Sequence, residues 1–162
     1  MIEVKAAEAE AKGLPRIGFR VDPSGTSLSI TAFPPQPDKY LVASGPPGGP
    51  LLAGVWATDE RESDAAAIER AVRKYFSNPW QEPLVIGEAS TISLGGTTYR
   101  ALAYRTGTSL RLTAWCAAVV GTGPALLVTL GRAPGDAPTL SCAEVIAEPN
   151  LAAFARTFTL VP

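Results

Sequence analysis

Histidine is absent from this chain of 162 residues, and with it goes the commonest general base and metal ligand at neutral pH. A Ser-His-Asp triad is therefore excluded. With two cysteines and no histidine, Cys116 and Cys142 are too few to close a zinc site. They lie far apart and in no CxxC spacing, which leaves two readings open: two small buried hydrophobes, or a disulfide formed in an oxidising compartment. Charge is also scarce. Charged residues are 18% of the chain and the net charge is −1, so there is no basic surplus to attract a phosphate backbone. No nucleic acid partner is expected. Long apolar runs are missing too: the longest, Ala114 to Val120, is far too short to span a bilayer. The opening residues alternate charged and small apolar groups, with none of the apolar stretch of a secretory signal. A cytoplasmic protein with no membrane insertion is the expectation.

Phosphate and nucleotide motifs fail in the same way. Gly121-Thr122-Gly123-Pro124 lacks a third glycine and puts proline where a helix with free N–H groups should start, so it reads as a turn. There is no Walker A lysine motif and no G-x-S-x-G elbow. Asp59, Glu60, Glu62 and Asp64 crowd one short stretch, but without the glycine and alternation of a calcium loop. They read as charges favouring a helix start. No cofactor, metal or catalytic residue is indicated.

What the chain has in quantity is apolar residues, 46%, together with 15 Gly and 15 Pro. That composition is enough to bury one core and to make many turns. Residues 1–13 are rich in Ala, Glu and Lys, and are expected to be a flexible tail or frayed helix ahead of a single domain over 14–162. Ser27 to Ala32 alternates hydroxyl and apolar residues, as a half-buried strand does. Pro34-Pro35-Gln36-Pro37 and Gly45 to Pro50 read as rigid loops, because neither carries the flanking basic residue of an SH3-type ligand. Around them, Tyr40 to Val42 and Leu51 to Ala57 suit strands. Ala65, Ile68, Val72 and Tyr75 form one helical stripe, capped by Ser63 or Asp64, with Glu69 and Arg73 paired outside. Ser77-Asn78-Pro79 ends it.

From Leu84 to Leu130 the pattern becomes strands and tight turns: Leu84 to Ile86, Ile92 to Leu94, Tyr99 to Arg105, a long strand ending at Val120, and Ala125 to Leu130. Connections this short allow only an antiparallel meander. Cys142 to Ala147 is ambiguous between helix and strand. Leu151, Phe154, Ala155 and Phe158 give a last short helix, and Thr159 to Val161 a final strand. The fold class is α+β, an antiparallel sheet whose apolar face lies beneath helices.

Leu14-Pro15-Arg16-Ile17-Gly18-Phe19, Glu69-Arg70-Ala71-Val72, Leu94-Gly95-Gly96 with Tyr99-Arg100-Ala101, and Leu151 to Phe158 come in an order that resembles the PsbP-like fold. That superfamily includes the extrinsic protein of photosystem II, a Ran-binding import factor, bacterial lipoproteins and the Eag chaperones of secretion effectors. The resemblance implies a non-enzymatic module that holds a protein partner. With no catalytic groups, low net charge and a surplus of apolar strand faces, the expectation is a protein-interaction domain, an adaptor or secretion-effector chaperone, working as a monomer or homodimer. Trp115 with Arg111 on one strand face, and Trp80 after the helix, are the candidate partner-binding residues, since Trp and Arg dominate binding hot spots; the alternative is that Trp115 packs under a helix with Arg111 at the rim and Trp80 covers the end of the core. Two other functions remain: a carrier with an apolar cavity lined by residues such as Leu112, Ala114 and Leu126, and an enzyme built on carboxylates alone.

Overall fold

A computed structural model describes residues 1–45, 51–76, 84–107, 112–132 and 141–162. Among them, the meander expected from the turn pattern is present. β6 (Leu84–Leu94), β7 (Thr97–Thr106), β8 (Thr113–Val120) and β9 (Ala125–Arg132) pair antiparallel in succession. The sheet extends beyond β9 through β5 (Leu51–Thr58), β4 (Lys39–Ser44) and β3 (Ser29–Ala32), giving seven strands in the order β3-β4-β5-β9-β8-β7-β6. The class is α+β with antiparallel sheets, as the sequence pattern requires.

The helix stripe is also where expected. α2 (Ala65–Phe76) starts on Asp64, whose Oδ1 accepts from the Ala67 N–H at 2.9 Å, and Glu69 pairs with Arg73 at 3.0 Å. Its face of Ala67, Ile68, Ala71 and Val72 is buried against the sheet. α3 (Cys142–Ile146) resolves the ambiguous segment as helix, and α4 (Pro149–Thr157) follows, capped by the Glu148 carboxylate on the Leu151 N–H at 2.9 Å.

Three expectations need correction. First, the opening residues are not a tail. β1 (Ile2–Val4) pairs with β2 (Gly18–Val21), α1 (Ala6–Ala11) follows it, and Val4 and Ala9 are fully buried. The alanine-rich composition suggested fraying, but Ile2 and Val4 supply the alternate apolar side chains that a strand needs. β10 (Thr159–Val161) pairs with the other side of β2, completing a second, three-stranded sheet.

Second, β6 is one strand. A register shift between Ile86 and Ala89 accommodates the extra residue at Gly87-Glu88, where the sequence suggests two separate strands. Third, the large sheet is covered on both faces at its centre, over β8 and β9, while Ala89, Thr91 and Ser93 of β6, Thr98 and Arg100 of β7 and most of β3 stay exposed. Ala114, Cys116, Ala118 and Val120 of β8 enter the larger core with α3, α4 and the small sheet, while Trp115, Ala117 and Val119 enter a second core beneath α2. The alternation in β8 therefore separates two apolar environments rather than core from water.

Phe33 (φ 49) and Asp38 (φ 64) both take left-handed backbone at the ends of the Pro34-Pro35-Gln36-Pro37 loop between β3 and β4. The prolines hold their own φ near −65°, so the tight reversal falls on the flanking residues. The second proline patch, Pro46 to Pro50, lies outside the described residues.

Candidate interaction surface

Trp115 is 7% exposed, and what encloses it is specific. Its ring lies on Gly131 of the neighbouring strand, where an added Cβ would stand 2.5 Å from Cε3. Tyr104 stacks parallel to it at 5.9 Å between centroids, and Phe76 of α2 covers it at 5.1 Å. The indole N–H donates to Thr106 Oγ1 at 2.8 Å. The indole N–H and the ring faces are thus engaged within the chain, and 7% of the residue is left exposed. Arg111 and Trp80, named with it from the sequence, lie outside the described residues.

The same face holds a second aromatic group. Trp56 donates to Thr129 Oγ1 at 3.3 Å, stands 4.5 Å from Tyr75, and carries the Lys39 ammonium 4.0 Å from its centroid. Burial lowers the Lys39 pKa, because desolvation penalises the ammonium. Burial also raises three phenols. Tyr75 moves to about 12, with Asp38 and Asp59 adding to the shift, while its hydroxyl donates to the Ala57 carbonyl at 2.6 Å. Tyr40 rises further, chiefly by desolvation, and its hydroxyl donates to the Pro15 carbonyl at 2.8 Å. Tyr104 is fully buried, and its hydroxyl has no hydrogen-bond partner among the described residues.

The carboxylates at the start of α2 serve the helix. Glu60 holds Arg70 at 2.6 Å, Asp59 holds Lys74 at 3.1 Å, and Asp64 is the cap. Among the described residues, no three acidic or cysteine side chains converge as a metal site would require. Ala114 and Leu126, proposed from the sequence to line a cavity, are packed into the larger core, and Leu112 is half-buried.

Cys116 of β8 and Cys142 of α3 are joined in a disulfide, with Cα atoms 5.0 Å apart. Both are buried, and the bond fixes α3 to the sheet. Of the two readings the sequence left open, the pair of separate thiols is thereby corrected. Their separation carried no spacing signal, because the pairing depends on α3 folding back over β8.

With both faces covered over β8 and β9, the accessible features are the peripheral strands and the clefts. One cleft of about 520 Å³ lies between the two sheets, where Arg16, Ile17 and Gly18 meet the Gly121–Pro124 turn and Leu160–Pro162. Leu160 is 36% exposed and, with Met1 and Val85, is one of three exposed large hydrophobic side chains among the described residues. Gly121 (φ 123) is needed in the turn, since a Cβ there would stand 2.7 Å from the Pro124 carbonyl oxygen. Sequence reading missed this cleft; its residues come from three distant segments, and only Gly121 hinted at a close approach.

No protein-family model matches the chain, and no curated protein matches it in sequence. Its structure is similar to that of the cyanobacterial PsbP protein, CyanoP, of Synechocystis sp. PCC 6803. The two share 11% identity and a TM-score of 0.51 over 90% of this chain and 92% of that one. The fold is PsbP-like. LpqN of Mycobacterium tuberculosis, a protein involved in cell envelope biogenesis, aligns over 98% of both chains at 15% identity with a TM-score of 0.41. At 11% identity the likeness to CyanoP shows the fold alone, and it assigns no residue a role.

Proposed function

We propose that this chain is a non-enzymatic protein-interaction domain, an adaptor or a chaperone that holds an effector protein, and that it binds its partner at the cleft between its two sheets. The observation that carries this reading is the sealing of both faces of the large sheet over its central strands, β8 and β9. It leaves the peripheral strands and this cleft as surface open to a partner. The cleft suits a protein segment. It combines exposed Leu160 and half-buried Ile17 with the Arg16 guanidinium, a mixture of apolar anchor and cation common in interface cores. β10 forms the outer edge of the small sheet, so an extended segment can add to it while its side chains enter the cleft.

The reading includes a compartment. A buried disulfide supports an oxidising environment over the cytoplasm expected from the opening residues, because cytosolic disulfides are usually transient and catalytic. A net charge of −1 gives no attraction for nucleic acid.

The test is native-extract cross-linking followed by mass spectrometry, comparing the parent chain with Leu160→Asp. A stoichiometric protein partner, cross-linked near residues 16–18 and 121–124 and lost in the variant, is the expected result. A partner retained by the variant with cross-links elsewhere refutes the cleft, and no stoichiometric partner at all refutes the interaction reading.

A further inference from the structure

The large sheet ends on β3 and β6, and the sequence treats these two edges differently. β3 is four residues long and runs directly into Phe33 at positive φ and then Pro34. The Ser27 N–H and hydroxyl just ahead of it are tied to Asn150 of α4. That edge is short and blunted. β6 is 11 residues long, and its protective devices, the bulge and the Glu88 carboxylate, both lie before Ala89. From Ala89 to Leu94 the strand reads Ala-Ser-Thr-Ile-Ser-Leu, with no charge, no proline and no register shift. Among the described residues this stretch pairs only with β7.

We propose that residues Ala89 to Ser93 of β6 pair antiparallel with the same residues of a second copy, about a two-fold axis through Thr91 and perpendicular to the sheet. Such an axis keeps like faces on the same side, so Thr91 meets Thr91 and Ala89 meets Ser93. The backbone supports that centre. The turn Gly95-Gly96 is two residues long and is closed by the Leu94–Thr97 pair. Counting back through the alternation of an antiparallel ladder, Ile92 and Ser90 direct their N–H and C=O groups toward β7. Ser93, Thr91 and Ala89 direct theirs outward, where the second copy would receive them.

Charge favours a second copy over an unrelated segment. An edge that selects a foreign strand by electrostatics needs a charge to match, and this stretch has none. An edge that meets itself needs the absence of charge, because like groups fall opposite each other. Glu88 falls opposite Leu94 rather than opposite its own copy. Arg100, opposite Thr91 on β7, would stand about 14 Å from its counterpart for strands about 4.8 Å apart, beyond the screening length of about 8 Å in physiological salt. Room exists on the α2 side as well. Ala65, Ala89, Ser90, Thr91, Arg100 and Ala101 line an open depression of about 480 Å³ beside the edge, so α2 does not overhang the approaching strand. This pairing uses the β6 edge rather than the residues that line the partner cleft and does not rest on it.

Sedimentation of the full chain decides the matter, together with two variants. The parent should sediment as a dimer at tens of micromolar. Thr91→Lys should sediment as a monomer with an unchanged circular dichroism spectrum, the substitution being at an exposed edge. Should that variant lose its fold, Ser93→Lys reads the same contact. With both native cysteines joined to each other, Thr91→Cys introduces a single free thiol. On oxidation it should give a covalent dimer in high yield, because directly opposed residues place their Cα atoms about 5.5 Å apart. Ser29→Cys on β3 should not. A parent that stays monomeric across the range, a Lys variant that folds and remains dimeric, or cross-linking at Ser29→Cys as readily as at Thr91→Cys would overturn the proposal.

Discussion

Replacing both cysteines, Cys116→Ala with Cys142→Ala, removes a bond that closes 26 residues of chain. Loop-closure entropy for that length is about 3.5 kcal/mol at 25 °C. The bond ties α3 over β8 across the larger core, so the constraint acts on an interior contact and not on a fraying end. For a chain of this size one kcal/mol moves the melting temperature by about 2–4 °C, giving an expected fall of about 7–14 °C. Loss of two buried sulfur atoms adds to it. Thermal unfolding followed by circular dichroism measures the shift. Thiol titration of the parent in guanidinium should find no reactive thiol without reductant and both cysteines after reduction. A double variant melting within about 3 °C of the parent, or two reactive thiols in the unreduced parent, refutes the reasoning.

Other outcomes follow from the buried phenols and from the floor beneath Trp115. Tyr104→Phe removes a buried hydroxyl that has no partner among the described residues, so stability should be unchanged or rise slightly; Tyr40→Phe removes a 2.8 Å bond to Pro15 and should cost about 1 kcal/mol in a urea titration. The reverse ranking would refute the difference. Gly131→Ala forces a methyl into the Trp115 ring and should cost about 1–3 kcal/mol, with a shift in tryptophan emission that a surface Gly→Ala change would not give. Tyr75 is neutral in the folded chain up to about pH 12, against 10.0 when exposed. A raised folded pKa means that its stabilisation is complete below pH 10.0 and is lost as pH rises toward 12. Absorbance at phenolate wavelengths should therefore rise together with unfolding in that window; ionisation of Tyr40, Tyr75 and Tyr104 while the fold persists would contradict their burial.

Much of the fold was legible because it rests on local chemistry. Gly95-Gly96, Gly121 and Gly123 forced tight turns, and turns that tight dictated antiparallel neighbours. Asp64 and the Ile68/Val72 stripe marked α2 to within a residue. What was not legible depended on tertiary placement. Alternation in Ala114 to Val120 is visible in the sequence, but nothing local shows that the face bearing Trp115 would be covered by Phe76. Trp115 beside an arginine looked like a contact surface, and Gly131, which makes room for the ring, is informative only once β9 is known to lie next to β8. The disulfide was hidden for the same reason. In β6, the bulge at Gly87-Glu88 interrupted the two-residue period, and so one long strand resembled two short ones. Ile2 and Val4 were obscured by the alanines that follow them.

Amide hydrogen exchange on the isolated chain and on its complex tests most directly the claim that both faces are closed over β8 and β9 and that contact occurs at the periphery. Partner binding should slow exchange at residues 16–18, 121–124 and 159–161 and leave α2 and the centres of β8 and β9 unchanged. Faster exchange in α2 together with new protection in β8 and β9 would mean that the helix lifts to offer the sheet face beneath it, and would contradict the account.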